Sequence, residues 1–151
     1  MRRITVVVAD TDSKARSLCE SILQHERHIA IVAHVERHDD ALAAVLEFAP
    51  RILLCGQRFA APAGYSLLET LREKSPSTRA LLWTHGAFEK KQLIAALTKG
   101  AAGFVDRDDF PAQLAQAIRS IDAGEAWVSR KMLGAIGDRL VTQIAVDPHQ
   151  L

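Results

Sequence analysis

The sequence predicts an α/β fold, a five-stranded parallel sheet doubly wound with helices, and two patterns carry that reading. Short β-branched or aliphatic runs recur at similar intervals, at residues 4–9, 29–35, 51–55, 80–84 and 103–105. Between them, apolar residues fall at helical rather than alternating spacing. Repeated strand–helix units imply parallel strands, because each parallel pair needs a crossover connection. The runs are apolar without interruption, as strands are when helices cover both faces of their sheet.

Each element follows from its own residues. The first strand stops at Asp10, and Ala15, Leu18, Cys19, Ile22 and Leu23 then lie on one face of a helix that Asp12 is placed to cap. A second helix carries Ala41, Leu42, Val45 and Leu46 and ends before Pro50. A third presents Leu67, Leu68 and Leu71; a fourth presents Leu93, Ala96 and Leu97 and is closed by Gly100. The fifth starts at Asp109 as N-cap, has Pro111 in its first turn, and runs through Leu114, Ala117, Ile118 and Ile121 to Gly124. Beyond it, residues 129–141 place Met132, Ile136 and Leu140 at i, i+4, i+8 behind Ser129, which predicts a sixth, short amphipathic helix. Residues 142–151 are polar, contain Pro148 and read as a frayed tail. The expected organisation is a domain over 1–124, a linker with its helix over 125–141, and that tail.

Composition narrows the function. A chain of 151 residues fits one domain that buries roughly 70% of its extended surface. A hydrophobic share of 48% excludes a disordered chain. Lys and Arg number 19 against 18 Asp and Glu, so the chain lacks the basic excess of a stand-alone nucleic-acid binder. Cys19 and Cys55 have no metal or redox spacing, which fits a reducing cytoplasm. The apolar run after Arg2-Arg3 is too short for a secretory signal, and no stretch reaches membrane-spanning length. A cytoplasmic protein without membrane attachment is expected.

Ligands of open parallel sheets bind beyond the carboxyl ends of the strands. The residues there are Asp10-Thr11-Asp12, Gly56-Gln57, Thr84-His85 and Asp106-Arg107. Nothing among them is arranged as a hydrolase triad or a phosphate-cradling glycine loop, so no enzyme is expected.

Several spaced stretches carry a family resemblance over about residues 3–141. They are Val8-Ala9-Asp10, Pro50-Arg51-Ile52-Leu53-Leu54, Gly64 eight residues after Gly56, Leu81-Leu82-Trp83-Thr84, and Gly100-Ala101-Ala102-Gly103-Phe104-Val105-Asp106-Arg107. In these the chain resembles the receiver domain of bacterial response regulators of the NarL/FixJ (LuxR-type) group. The resemblance implies a flavodoxin/CheY-like sheet of order 2-1-3-4-5 and a role in two-component signalling. It also implies a helix-turn-helix domain beyond a linker, so that DNA is contacted only through a domain not in this chain.

Against that family the phosphorylation site is degenerate. The register of the phosphoryl-accepting aspartate falls on Gly56, which has no nucleophile. The two successive metal-binding acids read Asp10 and Thr11, the lysine reads Arg107, Thr84 is retained, and Phe104 takes the switching-aromatic position. With one carboxylate left, Mg²⁺ is not expected, since it wants near-octahedral oxygen ligation. Asp10 and Arg107 are expected to pair across the site. Asp10, Thr84 and Arg107 could alternatively hold a small anion, the plainer reading being local hydrogen bonds. The chain thus reads as a phosphorylation-independent pseudo-receiver acting through homodimerisation and an upstream signalling partner, the alternative being a stand-alone partner-binding pseudo-receiver. The dimer is expected because the stripe of the sixth helix needs an apolar surface to pack on, the alternative being a surface of the same domain.

Trp127-Val128-Ser129-Arg130 resembles the cyclic di-GMP-binding stretch of the VpsT/CsgD branch of LuxR-type regulators. In that reading Trp127 or Arg130 stacks on guanine, Arg130 pairs with phosphate and Ser129 offers a hydroxyl. The competing reading packs Trp127 on the fifth helix. Cys55 is expected to be an inert buried thiol pointing away from the face of Gly56. The pair His34 and His38 straddles a strand end and reads as surface.

Overall fold

The computed structural model describes residues 3–86 and 88–136, with only the backbone of residues 135 and 136. Strands β1 (Ile4–Ala9), β2 (Ile29–Val35), β3 (Ile52–Gly56), β4 (Arg79–Thr84) and β5 (Ala101–Asp106) form one sheet in the order β2-β1-β3-β4-β5. Every neighbouring pair is parallel. The helices are α1 (Ser13–Leu23), α2 (His38–Phe48), α3 (Gln57–Ala60), α4 (Pro62–Lys74), α5 (Lys90–Lys99), α6 (Phe110–Asp122) and α7 (Arg130–Ile136). The expected fold class and strand order are therefore those of the structure.

Strand alternation splits the core into two layers. Val6, Val8, Ile52, Leu54, Leu81, Trp83 and Val105 pack against α1 and α6. Val7, Ala9, Leu53, Cys55, Leu82 and Phe104 pack against α2, α4 and α5. Cys55 thus lies on the opposite face from Leu54 and from the direction of Gly56, as alternation requires.

The ends of the elements decide where polar groups go. Asp12 caps α1 by accepting the Lys14 amide at 2.9 Å. Gly100 closes α5 in the left-handed region (φ 119°), its amide donating to the carbonyls of Ala96 and Leu97. Asp109 does not cap α6 with its side chain. Asp106 takes the capping role instead, accepting the Asp108 amide at 2.9 Å and opening a 3₁₀ turn over Arg107–Asp109 that leads into α6. Helix α3 and the break that follows it are additions to the sequence reading. Ala63, Gly64 and Tyr65 have φ of 55°, 64° and 63°, so regular helix in α4 starts only after them. For Ala63 and Tyr65 this left-handed conformation costs roughly 1–2 kcal/mol per residue. The Tyr65 hydroxyl holds the break in place, accepting from Gln57 Nε2 at 2.7 Å and donating to Gln92 Oε1 at 3.0 Å.

Past α6 the chain runs back along the edge of β5. The Trp127 amide donates to Ala102 O at 3.3 Å, and the Phe104 amide donates to Trp127 O at 2.8 Å. Gly103 makes this approach possible, because a Cβ there would lie 2.5 Å from Trp127 O. Trp127 and Val128 are fully buried, so the boundary expected at Gly124 does not separate this segment from the core. Ser129 caps α7 as expected, its hydroxyl accepting the Met132 amide at 3.2 Å. Helix α7 packs on α5, with Met132 and Leu133 against the second core layer. Met132 is therefore used within the chain, which removes one residue of the stripe that motivated homodimerisation. The Ile136 side chain, Leu140, the remainder of 129–141 and the tail 142–151 lie outside the described residues. Among the described residues no helix is long and apolar enough to cross a membrane.

Candidate functional site

Three backbone positions meet at the carboxyl edge of the sheet. Ala9 pairs with Cys55 and Gly56 with Trp83, so Asp10, Gly56 and Trp83 lie side by side where adjacent strands end. Alternation turns all three toward α1 and α6. A Cβ on Gly56 would lie 2.5 Å from Asp10 Oδ2 and 3.2 Å from Trp83 Nε1. Trp83 is only 4% exposed and meets Phe110 edge-on, with ring centroids 5.9 Å apart and planes at 89°. Above this floor opens a pocket of about 360 Å³.

Of the six residues expected to form one degenerate site, Asp10, Thr11, Gly56, Thr84 and Arg107 line this pocket and Phe104 does not. Asp10 accepts the Thr11 hydroxyl at 3.4 Å and the Asp12 amide at 3.3 Å, both long bonds. Arg107 pairs with Asp12 at 3.6 Å and not with Asp10, which corrects the expected ion pair. One Asp12 oxygen caps α1 while the other meets the guanidinium, whereas Asp10 turns toward the space beside Gly56. Thr84, although it lines the pocket, and Phe104 have the opposite strand parity to Asp10 and Trp83. Thr84 is buried and its hydroxyl reaches Asp106 Oδ2 at 3.4 Å. Phe104 is buried against Phe88, centroids 5.5 Å apart. Asp10, Thr84 and Arg107 line one pocket, and each also has its own local partner.

Sequence reasoning missed the parts played by Trp83 and Asp106 and the pairing of Asp12 with Arg107. Parity along β4 and β5 was the available signal, since it separates Trp83 from Thr84 and Asp106 from Val105. Asp12→Ala is expected to lower stability by about 1 kcal/mol through loss of the cap. That corresponds to a melting shift of about 2–4 °C. The half-exposed Arg107 pair adds little to it. Thermal denaturation of the variant checks this, and an unchanged midpoint refutes it.

The donor set does not suit Mg²⁺. Asp10 is the single carboxylate turned toward Gly56, and Asp12 is engaged with α1 and Arg107. Among the described residues no three His, Cys, Asp or Glu side chains converge as a metal site. Both thiols are buried: burial raises Cys19 to about 12, opposed by the smaller lowering effect of Arg107 and aided by Asp10, and burial raises Cys55 as well. His34 and His38 are half-buried rather than surface residues. His34 faces Glu20 at 3.3 Å, and the His38 ring is bonded to the Phe59 carbonyl.

In the stretch Trp127-Val128-Ser129-Arg130 the indole is not available for stacking, whereas the Arg130 guanidinium is exposed. Trp127 is 1% exposed within the α6 layer, Ser129 is spent on capping α7, and Arg130 alone is exposed. The indole is where the packing alternative put it.

A sequence profile of the response regulator receiver domain matches residues 6–119. The chain belongs to the response-regulator receiver family. This receiver domain is 28% identical over 146 residues to the oxygen regulatory protein NreC of Staphylococcus epidermidis, covering 94% of this chain and 65% of that protein. It therefore spans just under two thirds of the length of that curated relative. Its fold superimposes on the signal receiver domain of the response regulator NarL from Mycobacterium tuberculosis with a TM-score of 0.76 at 23% identity, covering 83% of this chain and 100% of that one. It also superimposes on RcsB in a structure of two RcsB dimers bound to two parallel DNAs, with a TM-score of 0.78 at 14% identity, covering 89% of this chain and 68% of that one.

Proposed function

We propose that this NarL/LuxR-type receiver domain is a pseudo-receiver, which works in the cytoplasm without aspartyl phosphorylation and without Mg²⁺. The observation that carries the reading is Gly56. The acceptor position has no carboxylate, and the room for a side chain there is taken by Asp10 and Trp83. Signalling by contact follows, because a domain with no covalent switch changes state only through what binds it. We assign it an upstream protein partner, homodimerisation and control of a DNA-binding domain in a full-length regulator. The likeness to RcsB, a protein that forms dimers on DNA, supports that assembly.

Intact-mass measurement after incubation with acetyl phosphate and Mg²⁺ is the direct test. The expected mass is that of the unmodified chain; a stable added phosphoryl group overturns the reading. Sedimentation at micromolar protein tests the dimer separately, and a monomer at every concentration removes that part. Burial of Trp127 takes one stacking surface from the cyclic di-GMP reading, and calorimetry is expected to register no heat on adding the dinucleotide.

A further inference from the structure

Five charged or titratable side chains line the pocket over Gly56: Asp10, Asp12, Arg58, His85 and Arg107. Asp12 and Arg107 neutralise each other at 3.6 Å. Among the described residues neither Asp10 nor Arg58 has an ion-pair partner within 4.0 Å, and His85 is an exposed imidazole at the rim. The pocket is therefore dipolar, with one uncompensated carboxylate at the end of β1 and one uncompensated guanidinium in α3. Phe88, half-buried, supplies an apolar wall. A volume of about 360 Å³ lies within the range of small-molecule sites.

A ligand bearing a single charge would satisfy one pole and leave the other facing it. A zwitterion satisfies both, with its ammonium on Asp10 and its carboxylate on Arg58, whose fork suits bidentate binding. We infer that the pocket of this receiver binds a free α-amino acid with an apolar side chain, the side chain lying against Phe88. The inference rests on the reading that no phosphoryl group forms at Gly56, which leaves the pocket open to another ligand. It also gives the domain a chemical input in place of the covalent one, since any ligand that binds the folded state preferentially stabilises it.

L-Leucine is the probe, with isoamylamine and isocaproate as analogues that each keep one charge. Calorimetry and thermal denaturation on the whole chain are expected to show leucine binding, with each analogue weaker by about tenfold or more. Asp10→Asn and Arg58→Gln are each expected to weaken leucine about ten- to hundredfold, the loss of one charge-assisted contact. Arg58 is exposed, so its substitution tests the site even if Asp10→Asn disturbs folding. Absence of heat and of a melting shift at about 10 mM leucine, roughly ten times a weak Kd, overturns the inference. So does equal binding of either analogue, or unchanged affinity in Arg58→Gln. The phosphodonor experiment separates the two readings. A chain that keeps its mass and ignores leucine loses only the ligand, whereas one that gains a phosphoryl group loses the pseudo-receiver reading whatever leucine does.

Discussion

Trp127→Ala is expected to cost about 3–5 kcal/mol of stability, the range for truncating a buried large aromatic side chain. In a domain of this size that is a fall of about 6–20 °C in melting temperature. The indole is 1% exposed and lies among Ile121, Phe110 and the other apolar residues of the α1/α6 layer. Its backbone also closes the edge of β5, so loosening the side chain weakens the two hydrogen bonds to Ala102 and Phe104. Arg130→Ala is the matched control, because an exposed side chain carries little folding energy and its midpoint should stay within about 0.5 kcal/mol of the wild type. Thermal denaturation of both variants decides the matter. A small shift for Trp127→Ala with a large one for Arg130→Ala would sink the packing assignment.

Gly56→Asp is expected to lower stability by about 1–3 kcal/mol and to leave the chain unphosphorylated. The added Cβ meets Asp10 Oδ2 at 2.5 Å and Trp83 Nε1 at 3.2 Å. Asp10 is the end of a short side chain and can swing away. Trp83 cannot, being 4% exposed and wedged against Phe110. The new carboxylate also faces that of Asp10, and like charges at contact raise a carboxyl pKa in the folded state. A folded pKa raised above the unfolded one means the unfolded chain ionises first. The electrostatic part of the loss is therefore absent below the ordinary carboxylate range and complete above the raised value. Melting curves at acidic and neutral pH measure both parts, and intact mass after acetyl phosphate and Mg²⁺ reads acceptance. A wild-type midpoint at neutral pH, or a stable phosphoryl adduct, shows that the neighbours yield and that steric closure is not what silences the site.

Much of this was legible in the residues themselves. Apolar runs without polar interruption, separated by helical spacing, follow from burial on both faces of a parallel sheet, and the strands lie within a few residues of those runs. Asp12 before α1, Gly100 after α5 and Ser129 before α7 are local signals, because a cap answers hydrogen-bonding needs a few residues away. The loss of the acceptor is legible too, since a glycine at the end of β3 offers no oxygen whatever surrounds it. Pairings across the sheet are a different matter. Whether Arg107 meets Asp10 or Asp12, and which face Thr84 shares, depends on register and strand parity between segments far apart in sequence. The burial of Trp127 depends on Gly103 admitting a second backbone to the edge of β5. The uncompensated poles Asp10 and Arg58 emerge only once every other charge around the pocket has found its partner, because charge compensation is a property of distances in space.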